Sequence, residues 1–456
     1  MPDSVEPRPT VLRTFRVRTS NHIGVLARVL AVLAEHGASV GDLRTIFMGP
    51  LSRIRDIELG FADPADIEPA ARAIDATGEA HVLEIRDEVL DLHAGGKVEV
   101  RSRYPITSDA DLRRVYTPGV GEVARRIAAE PELADHYTLR ANTVAIVSDG
   151  TAILGLGNLG PLASLPILEG KAAILAELAG VSGVPLAVDP LAPAELAAAV
   201  AAVARGFGLV QLEDIAAPRC FEVEAELRRR GIPVFHDDQH GTAAVVLAAV
   251  IGAANAGEKQ LANARVGCLG LGAAGSAIAG ALMAYLGRPV LGADIDEGAL
   301  KRFTAAGGIP ATLAEVMGTC DLVVATTGKP GLITPEMVRP GQVILALSNP
   351  VPEIERDAAL AAGAAVATDG RATNNMLAFP GLCRGGLDCG IRQFEAPIFR
   401  AAAEAIVASV PAGQLLPAPL DRSVHRRVAR AVALAAEREG LATREVPPDY
   451  MLDTRG

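Results

Sequence analysis

Apolar and polar residues alternate along Val11–Val17, which predicts a β-strand, and the apolar residues of Gly24–His36 recur at the spacing of an amphipathic helix. Four later segments carry strand, strand, helix and strand patterns in that order: Ser39–Met48, Ile54–Phe61, Asp66–Ala76 and His81–Asp87. The resulting order βαββαβ is that of the ferredoxin-like arrangement. The sequence therefore predicts a small α+β unit over residues 1–92.

The pattern changes at Gly95-Gly96-Lys97, which indicates a linker. Beyond it, apolar strands such as Thr143–Val147 alternate with alanine-rich helices, which is typical of α/β folds. A second α/β unit begins at Val266–Leu269, and Asp421–Glu439 has the pattern of a terminal helix. We therefore predict four segments: a front unit at 1–92, one α/β domain at 93–240, a second at 241–440 and a peripheral tail at 441–456.

Composition narrows the class of function. The chain has 456 residues, half of them apolar, which supplies several hydrophobic cores. Its net charge of −11 and its lack of Trp argue against a nucleic-acid partner, which needs clustered cations or aromatic platforms. The sequence has neither a secretory signal nor an uncharged membrane-spanning stretch, and its five cysteines lack metal-site spacing. We expect no membrane partner, reduced and buried cysteines, and small-molecule chemistry in the cytoplasm.

A glycine-rich turn follows the strand Val266–Leu269 and precedes a helix predicted over Ser276–Tyr285. This context favours a dinucleotide site over glycines that serve only a tight turn. The backbone amides at the helix N-terminus would face the phosphates. The candidate cofactor-binding residues in the turn are Gly270, Gly272, Ala273, Ala274 and Gly275.

Each glycine of the turn has a separate role. Gly270 permits the tight turn, Gly272 lets the backbone approach a pyrophosphate, and Gly275 allows the helix to pack closely on the strand. A strand predicted over Pro289–Ala293 ends at Asp294, near the offset at which an acid binds the ribose hydroxyls. Because this carboxylate repels a 2′-phosphate, we expect NAD to be favoured over NADP.

Four acids also lie at predicted strand ends: Glu213 and Asp214 after one apolar run, and Asp237 and Asp238 after another. Oxygen ligands of this kind suit Mg²⁺ or Mn²⁺. Each pair taken alone is also compatible with a solvated turn. The neighbouring histidines, His236 and His240, are predicted to lie in a loop and to play a supporting or structural part.

Several motifs resemble those of the malic enzyme family, and they occur in that family's order. They are Tyr116-Thr117-Pro118-Gly119-Val120, Ser148-Asp149-Gly150, Gly155-Leu156-Gly157-Asn158-Leu159-Gly160, Glu169-Gly170-Lys171, Glu213-Asp214-Ile215, Asp237-Asp238, Gly241-Thr242-Ala243, Ser348-Asn349-Pro350, Asn374-Asn375 and Phe379-Pro380-Gly381. The resemblance runs from about Lys97 to about Glu439.

The resemblance implies a role for each matched position. Lys171 would be the general base for the C2 hydroxyl of L-malate, Tyr116 the general acid for C3, and Asp237 the residue that orients the lysine. The implied metal ligands are Glu213, Asp214 and Asp238. Asn349, Asn374 and Asn375 would bind the substrate carboxylate, and Asn349 the nicotinamide as well.

The front unit resembles the ACT family of ligand-sensing domains at its first loop, Asn21-His22-Ile23-Gly24-Val25-Leu26. Two interpretations stay open. The loop and the free N–H groups of the following helix could bind an amino acid or similar anion as an effector, or the unit could pack against its twin in a dimer. We expect a homo-oligomer, a dimer or a multiple of it.

These observations predict an α/β protein with an α/β catalytic domain and a Rossmann-type NAD-binding domain, preceded by a ferredoxin-like ACT-type module. The expected activity is metal-dependent oxidative decarboxylation of L-malate to pyruvate and CO₂ with NAD. One alternative is a malolactic-type enzyme, which retains NADH and releases lactate. Another is a non-enzymatic ligand sensor, which predicts that some of the catalytic residues are missing.

Overall fold

The computed structural model describes residues 11–153, 155–257, 260–370 and 373–451. The chain divides into two compact units, one ending at Glu99 and one beginning at Val100. The division falls just after the predicted linker. The boundaries at 240 and 440 within the second unit stay predictions.

The first unit is a four-stranded antiparallel sheet of order β2-β3-β1-β4 with helices α1 and α2 on one face. Its elements are β1 (Val11–Ser20), α1 (Val25–Glu35), β2 (Ser39–Met48), β3 (Ser52–Phe61), α2 (Ile67–Ala76), β4 (Ala80–Arg86) and α3 (Glu88–His93). Alternate residues of β1 and β3, among them Phe15, Val17, Ile57 and Leu59, pack against Val29 and Leu33 of α1. The predicted βαββαβ order is confirmed.

The second unit begins with short helices and a parallel sheet of order β6-β5-β7-β8. The elements are α4 (Asp109–Val115), α5 (Gly119–Ala129), α6 (Leu133–Tyr137), β5 (Thr143–Ser148), α7 (Pro161–Ala179), β6 (Ser182–Ala187), α8 (Pro193–Ala204), β7 (Leu209–Leu212), α9 (Arg219–Arg229), β8 (Val234–His236) and α10 (Thr242–Ala256). Since β7 and β8 are parallel neighbours, the residues that follow them lie at the same edge of the sheet.

A second parallel sheet has the order β11-β10-β9-β12-β13-β14, which is the Rossmann order 3-2-1-4-5-6. Its elements are β9 (Val266–Leu269), α11 (Ala273–Leu286), β10 (Leu291–Ala293), α12 (Glu297–Ala305), β11 (Ile309–Pro310), α13 (Leu313–Thr319), β12 (Leu322–Ala325), β13 (Val343–Ala346), α14 (Arg356–Ala361) and β14 (Val366–Asp369). The chain then adds α15 (Phe379–Cys389), α16 (Ala396–Val407) and α17 (Arg422–Arg438).

One continuous core joins the two parallel sheets, because α10 packs on α11 and α16 while α15 packs on α7 and α17. Within the described residues one helix, Asp237–Ala256, is long and apolar enough to cross a membrane by length and composition alone. Its apolar window is 72% buried inside the protein, as in a core helix. All five cysteines are buried and free, as expected.

Near the candidate site, two predicted bounds and one predicted loop were wrong. The helix after the glycine turn begins at Ala273, three residues earlier than predicted, and the strand before Asp294 begins at Leu291. Asp237–Gly241 is a π-helical turn that leads into α10 rather than a loop. Gly241 makes this turn possible, since a Cβ there would overlap Oδ1 of Asp237.

Candidate active site

Lys171 lies in the middle of α7 and is only 9% exposed. Its Nζ donates to Oδ2 of Asp237 at 2.5 Å and lies 3.1 Å from Oε1 of Glu213. The ammonium also lies over the Phe379 ring, 4.4 Å from its centroid. A charged lysine is therefore held in a buried pocket between two acids and an aromatic face.

The carboxylates come from the ends of neighbouring strands. Glu213 and Asp214 follow β7, and Asp237 and Asp238 follow β8. The backbone N–H of Asp214 donates to Oδ2 of Asp238 at 2.8 Å, which ties the two strand ends together. Asp214 has a φ of 52°, an uncommon conformation for a residue other than glycine and one found at functional sites.

Oxygens of Glu213, Asp214 and Asp238 lie within 4.8 Å of one another. Three converging carboxylates form a donor set suited to a hard divalent cation such as Mg²⁺ or Mn²⁺. Gln211 also contributes, since its Nε2 donates to Oε2 of Glu213 at 3.1 Å and so aligns that carboxylate. The residues present therefore fit a metal, and they include all three predicted ligands.

Burial raises the pKa of three of these acids despite the nearby lysine. The pKa of Glu213 rises to about 7, that of Asp237 to about 7 and that of Asp238 to about 6. Burial alone would lower the pKa of Lys171, but the charges of Asp237 and Glu213 outweigh it and raise that pKa above its ordinary value. Burial thus favours the protonated forms of these three acids, while Lys171 keeps its charge.

The turn between β9 and α11 has the geometry that a dinucleotide requires. Gly270 adopts a φ of 85°, and a Cβ on Gly275 would overlap the carbonyl oxygen of Gly270. A Cβ on Gly272, in contrast, would meet open space. The backbone at Gly272, followed by the amides of Ala273 and Ala274 at the N-terminus of α11, is therefore open to a phosphate group.

Asp294 directly follows β10 and supports this turn. Its Oδ2 accepts from the backbone N–H of Leu271 at 2.5 Å, and its Oδ1 accepts from that of Asp296 at 2.9 Å. The carboxylate is therefore fixed beside the glycine turn, in the place from which an acid reaches ribose hydroxyls.

Comparisons with known proteins agree with this arrangement. The family model of the malic enzyme N-terminal domain matches residues 95–195. NAD-dependent malic enzyme 1 of Bacillus subtilis is 48% identical over 429 residues, which cover 93% of this chain and 98% of that protein. The chain belongs to the malic enzyme family. The resemblance inferred from the ordered motifs is thereby confirmed.

Two further relatives extend the comparison. The bifunctional malic/malolactic enzyme of Bacillus subtilis is 38% identical and covers 81% of this chain and 98% of its own length. The crystal structure of the malic enzyme from Pyrococcus horikoshii is 36% identical, with a TM-score of 0.76 over 80% of this chain and 94% of that one. The first compact unit contains 99 of the 456 residues, whereas the alignment with the 48%-identical relative leaves only 7% of this chain uncovered. The alignment therefore extends into the front unit, and that relative shares at least part of it.

The three asparagines named by the malic enzyme motifs lie in different surroundings. Asn375 lies beside the π-helical turn, with its Cβ 3.7 Å from the place of a Cβ on Gly241. Asn349 follows β13, and its Nδ2 lies 2.8 Å from the place of a Cβ on Gly370. Asn374 is exposed and its Oδ1 accepts from the N–H of Met376 at 2.9 Å. Asn375 is thus the asparagine that the structure brings toward Asp237.

Tyr116 is not brought into the lysine and acid cluster. Its side chain is 66% exposed, and within the described ranges it makes no hydrogen bond, ion pair or ring contact. It follows α4, and α4 and α5 pack mainly on each other and on α6, without a buried residue in either helix. In a single copy of the chain, the predicted general base therefore lies in the cluster and the predicted general acid lies outside it.

The two histidines take structural positions near the acids. Nε2 of His240 lies 2.8 Å from Oε1 of Glu224, and its ring stacks on Phe399 at 4.5 Å. His236 is fully buried, which lowers its pKa to about 4. Neither belongs to the group of three possible ligands.

Sequence reasoning missed a buried acid that organises the cofactor side. Oε1 of Glu353 accepts from Oγ of Ser348 at 2.5 Å and from the N–H of Thr327 at 2.6 Å. Thr327 and Ser348 lie in the loops after β12 and β13, so one carboxylate fixes both loops. The sequence offered one signal, since Glu353 follows the Ser348-Asn349-Pro350 motif closely.

Proposed function

We propose that this protein oxidatively decarboxylates L-malate to pyruvate and CO₂ with reduction of NAD. The observation that carries the proposal is the buried Lys171, held between Asp237 and Glu213 next to three converging carboxylates. The Rossmann sheet order and the open turn at Gly272 support a dinucleotide beside it. Membership of the malic enzyme family supports the reaction class.

In the proposed reaction the C2 hydroxyl of malate gives its proton to Lys171, and C2 gives a hydride to NAD. The bond between C3 and its carboxylate then breaks, CO₂ leaves, and the electron pair remains as an enolate that a proton on C3 converts to pyruvate. Glu213, Asp214 and Asp238 would hold a divalent metal, which would supply Lewis-acid polarisation of the C2 oxygen. Asp237 holds the Lys171 ammonium and so positions the proton.

Lys171 can act as a base only when it is neutral. The two acids that raise its pKa most, Asp237 and Glu213, are also its ion-pair partners. A cation held by Glu213 would remove part of this attraction and would let the pKa of Lys171 fall toward the working pH. The proposal therefore links lysine function to metal binding.

We assign the proton to C3 to Tyr116 of a second copy. The exposed helices α4 and α5 present apolar residues, among them Leu112, Val115 and Val120, that one copy leaves in solvent. A homodimer, or a multiple of it, that buries this surface would bring Tyr116 to the other copy's Lys171.

Complementation between inactive variants tests this assignment. In dimers formed from equal amounts of Lys171→Ala and Tyr116→Phe, mixed dimers hold one intact site, so about a quarter of wild-type activity should return. If the two residues act within one chain, mixing restores nothing. Each variant assembled alone is the control.

The front unit is proposed to be an ACT-type module that receives a small-molecule effector at the end of the sheet near Asn21 and His22. Its βαββαβ topology and the malic enzyme relative that shares at least part of the unit support this role. The net charge of −11 supports a chain without a nucleic-acid or anionic membrane partner. The proposed compartment is the cytoplasm, where the five buried, free cysteines would stay reduced.

The test of the reaction is NADH formation from L-malate with Mg²⁺ or Mn²⁺, with pyruvate measured in the products. Metal-dependent NADH and pyruvate in equal amounts are expected, with a weaker response to NADP and none in EDTA. One relative is a bifunctional malic/malolactic enzyme, so lactate is measured as well. Lactate without free NADH would support the malolactic alternative, and no turnover under any condition would support the sensor.

A further inference from the structure

Arg53 and Arg55 in the front unit have no acidic partner among the residues that the structure describes. Arg55 on β3 is only 7% exposed, and its Nη1 donates to the neutral Oγ1 of Thr19 at 3.0 Å. Nearby, Nε of Arg53 and Oγ of Ser20 are buried without a hydrogen-bond partner. Among the described residues neither guanidinium forms an ion pair. A buried cation without a counter-ion is costly and therefore needs an explanation.

A buried acid in the same sheet, Asp56, has ion-pair partners within the unit. Asp56, the next residue along β3, faces the opposite side and contacts Arg16 at 2.8 Å and Arg86 at 2.6 Å. The front unit therefore compensates a buried charge where its own residues can do so. The absence of an acid beside Arg55 sets this side of the sheet apart.

The strand register shows which end of the sheet carries these arginines. Arg53 is opposite Thr19 and Arg55 is opposite Val17, on the face that continues Ile57 and the core beneath α1. β1 ends one residue after Thr19, and α1 begins five residues after that end. The arginines therefore lie toward the end of the sheet at which α1 starts.

The N-terminus of α1 is itself without a counter-charge. Its N-cap is Gly24, no side chain caps it, and its first turn has no acidic residue. The free N–H groups of such a terminus favour an anion. Asn21 does not serve as a cap, since its Nδ2 donates to the carbonyl oxygen of Pro50 at 3.1 Å.

The acid that the fold brings to this end is already engaged. Glu79, whose carbonyl accepts from the N–H of Ser20, forms an ion pair with Arg28 at 2.6 Å. Burial, and then the charge of Arg53, lower the pKa of the Arg55 guanidinium, as expected for a cation without a compensating acid.

We propose that Arg53, Arg55 and Ser20 form a binding site for a small oxyanion, the carboxylate or phosphate group of a metabolite, at the end of the sheet where α1 begins. A guanidinium fork accepts either group with two parallel hydrogen bonds, and the hydroxyl of Ser20 supplies a third donor. The site gives a chemistry to the effector role proposed for the front unit. It exists whether or not the chain oxidises malate.

Binding to the full-length protein tests the proposal with acetate and inorganic phosphate as probes. The thermal midpoint should rise with at least one probe and not with sodium chloride at matched ionic strength, and the probe that acts distinguishes carboxylate from phosphate. Arg55→Met should weaken the response at least about tenfold, since a hydrogen bond to a charged group contributes that much. Without anion, its midpoint should not fall, because an apolar residue replaces an uncompensated charge.

Two further variants keep the test decisive. Arg53→Gln, which changes a more exposed residue, should weaken the response in the same direction even if Arg55→Met fails to fold. Arg18→Gln changes an exposed arginine on β1 and is the matched control that should respond like the wild type. An anion bound near Lys171 would shift the thermal midpoint of the wild type and of every variant equally, so it does not alter the differences between them.

An equal response in wild type, Arg55→Met and Arg53→Gln would overturn the proposed anion site, as would the lack of a response in the wild type. NADH formation is measured on the same samples. Turnover without an Arg55-dependent response removes the anion site alone, and a response without turnover removes the proposed activity alone.

Discussion

The second unit contains two segments with the spacing G-x-G-x-x-G, and their glycines are required for different reasons. Gly155–Gly160 precedes α7, and Gly270–Gly275 precedes α11. In the first segment all three glycines adopt a positive φ of 75° to 81°, and a Cβ on the middle one, Gly157, would meet open space. In the second, only Gly270 has a positive φ, and Gly275 is a glycine because space is lacking.

The difference follows from what each segment connects. The first is separated from β5 by several residues and ends at Gly160, the N-cap of α7, which carries Lys171, the proposed base. The second follows β9 directly, and its own backbone amides face the ligand position. The same glycine spacing thus occurs beside a site formed by charged side chains and in a site formed by backbone amides. Context, not spacing, separates them.

The largest effect is expected for the base that α7 carries. Lys171→Ala should lower kcat about 10³-fold, since a positioned proton acceptor is lost, while NAD affinity stays within a factor of about two. NADH formation and NAD binding measure the two quantities. Near-normal turnover at saturating malate and Mn²⁺ would show that the base lies elsewhere.

The loss of Lys171 also leaves Asp237 as a buried charge without its cation, which can destabilise the fold. The double variant Lys171→Ala/Asp237→Asn removes both charges and is the control for folding. It should be as inactive as the single variant and at least as stable.

A methyl group at Gly275 should break the backbone site. Gly275→Ala would force the Cβ into the carbonyl of Gly270, so we expect NAD affinity to fall about a hundredfold. Gly280→Ala in the same helix meets open space and should bind NAD normally, with equal or slightly higher stability. Gly157→Ala should also bind NAD normally and cost about 1 kcal/mol of stability for its left-handed backbone.

Equal NAD affinity in Gly275→Ala and Gly280→Ala would contradict the distinction between the two segments. Titration of NAD by protein or nucleotide fluorescence gives the affinities, and thermal unfolding gives the stabilities.

These positions show what the sequence could predict. The Rossmann-type strand, turn and helix at Val266–Tyr285, the acid at Asp294 and the βαββαβ unit follow from local patterns, because strand, turn and helix signals are contiguous there. The meeting of Lys171 with Asp237, 66 residues apart, came only from the family resemblance, since no local pattern places a helix residue on a strand end.

Other features depended on tertiary context. The sequence predicts a loop at Asp237–Gly241, because the glycine and the acids there are typical of loops. The structure has a π-helical turn instead, in which Gly241 packs closely against Asp237. The motif identifies Tyr116 as a candidate, but it does not predict that the residue is 66% exposed in a single copy of the chain. The unpaired Arg55 could not be found from its strand, since pairing is a property of what faces it.

A smaller effect is expected at Asp294, where charge rather than space selects the cofactor. Asp294→Asn keeps an acceptor for the N–H of Leu271 but removes the charge that repels a 2′-phosphate. We expect the preference for NAD over NADP, measured as the ratio of kcat/KM values, to fall about tenfold. Glu297→Gln, on an exposed residue of the next helix, is the control and should leave the ratio unchanged. An unchanged ratio in Asp294→Asn would remove the argument for NAD.

The smallest effect separates the two sites by their response to pH. Burial raises the pKa of Glu213 from 4.5 to about 7, so ionisation costs the folded, metal-free protein stability as pH rises through that window. Glu213→Gln mimics the protonated acid. In EDTA its thermal midpoint should match the wild type at pH 5 and exceed it by a few degrees at pH 8, from at most about 3 kcal/mol. With saturating Mn²⁺ at pH 8 the order of the two midpoints should reverse, because only the wild type keeps the full ligand set.

NAD affinity, which depends on backbone amides, should stay nearly constant from pH 6 to pH 8. A midpoint difference that does not change with pH would mean that Glu213 is ionised throughout and that its charge is already balanced by Lys171.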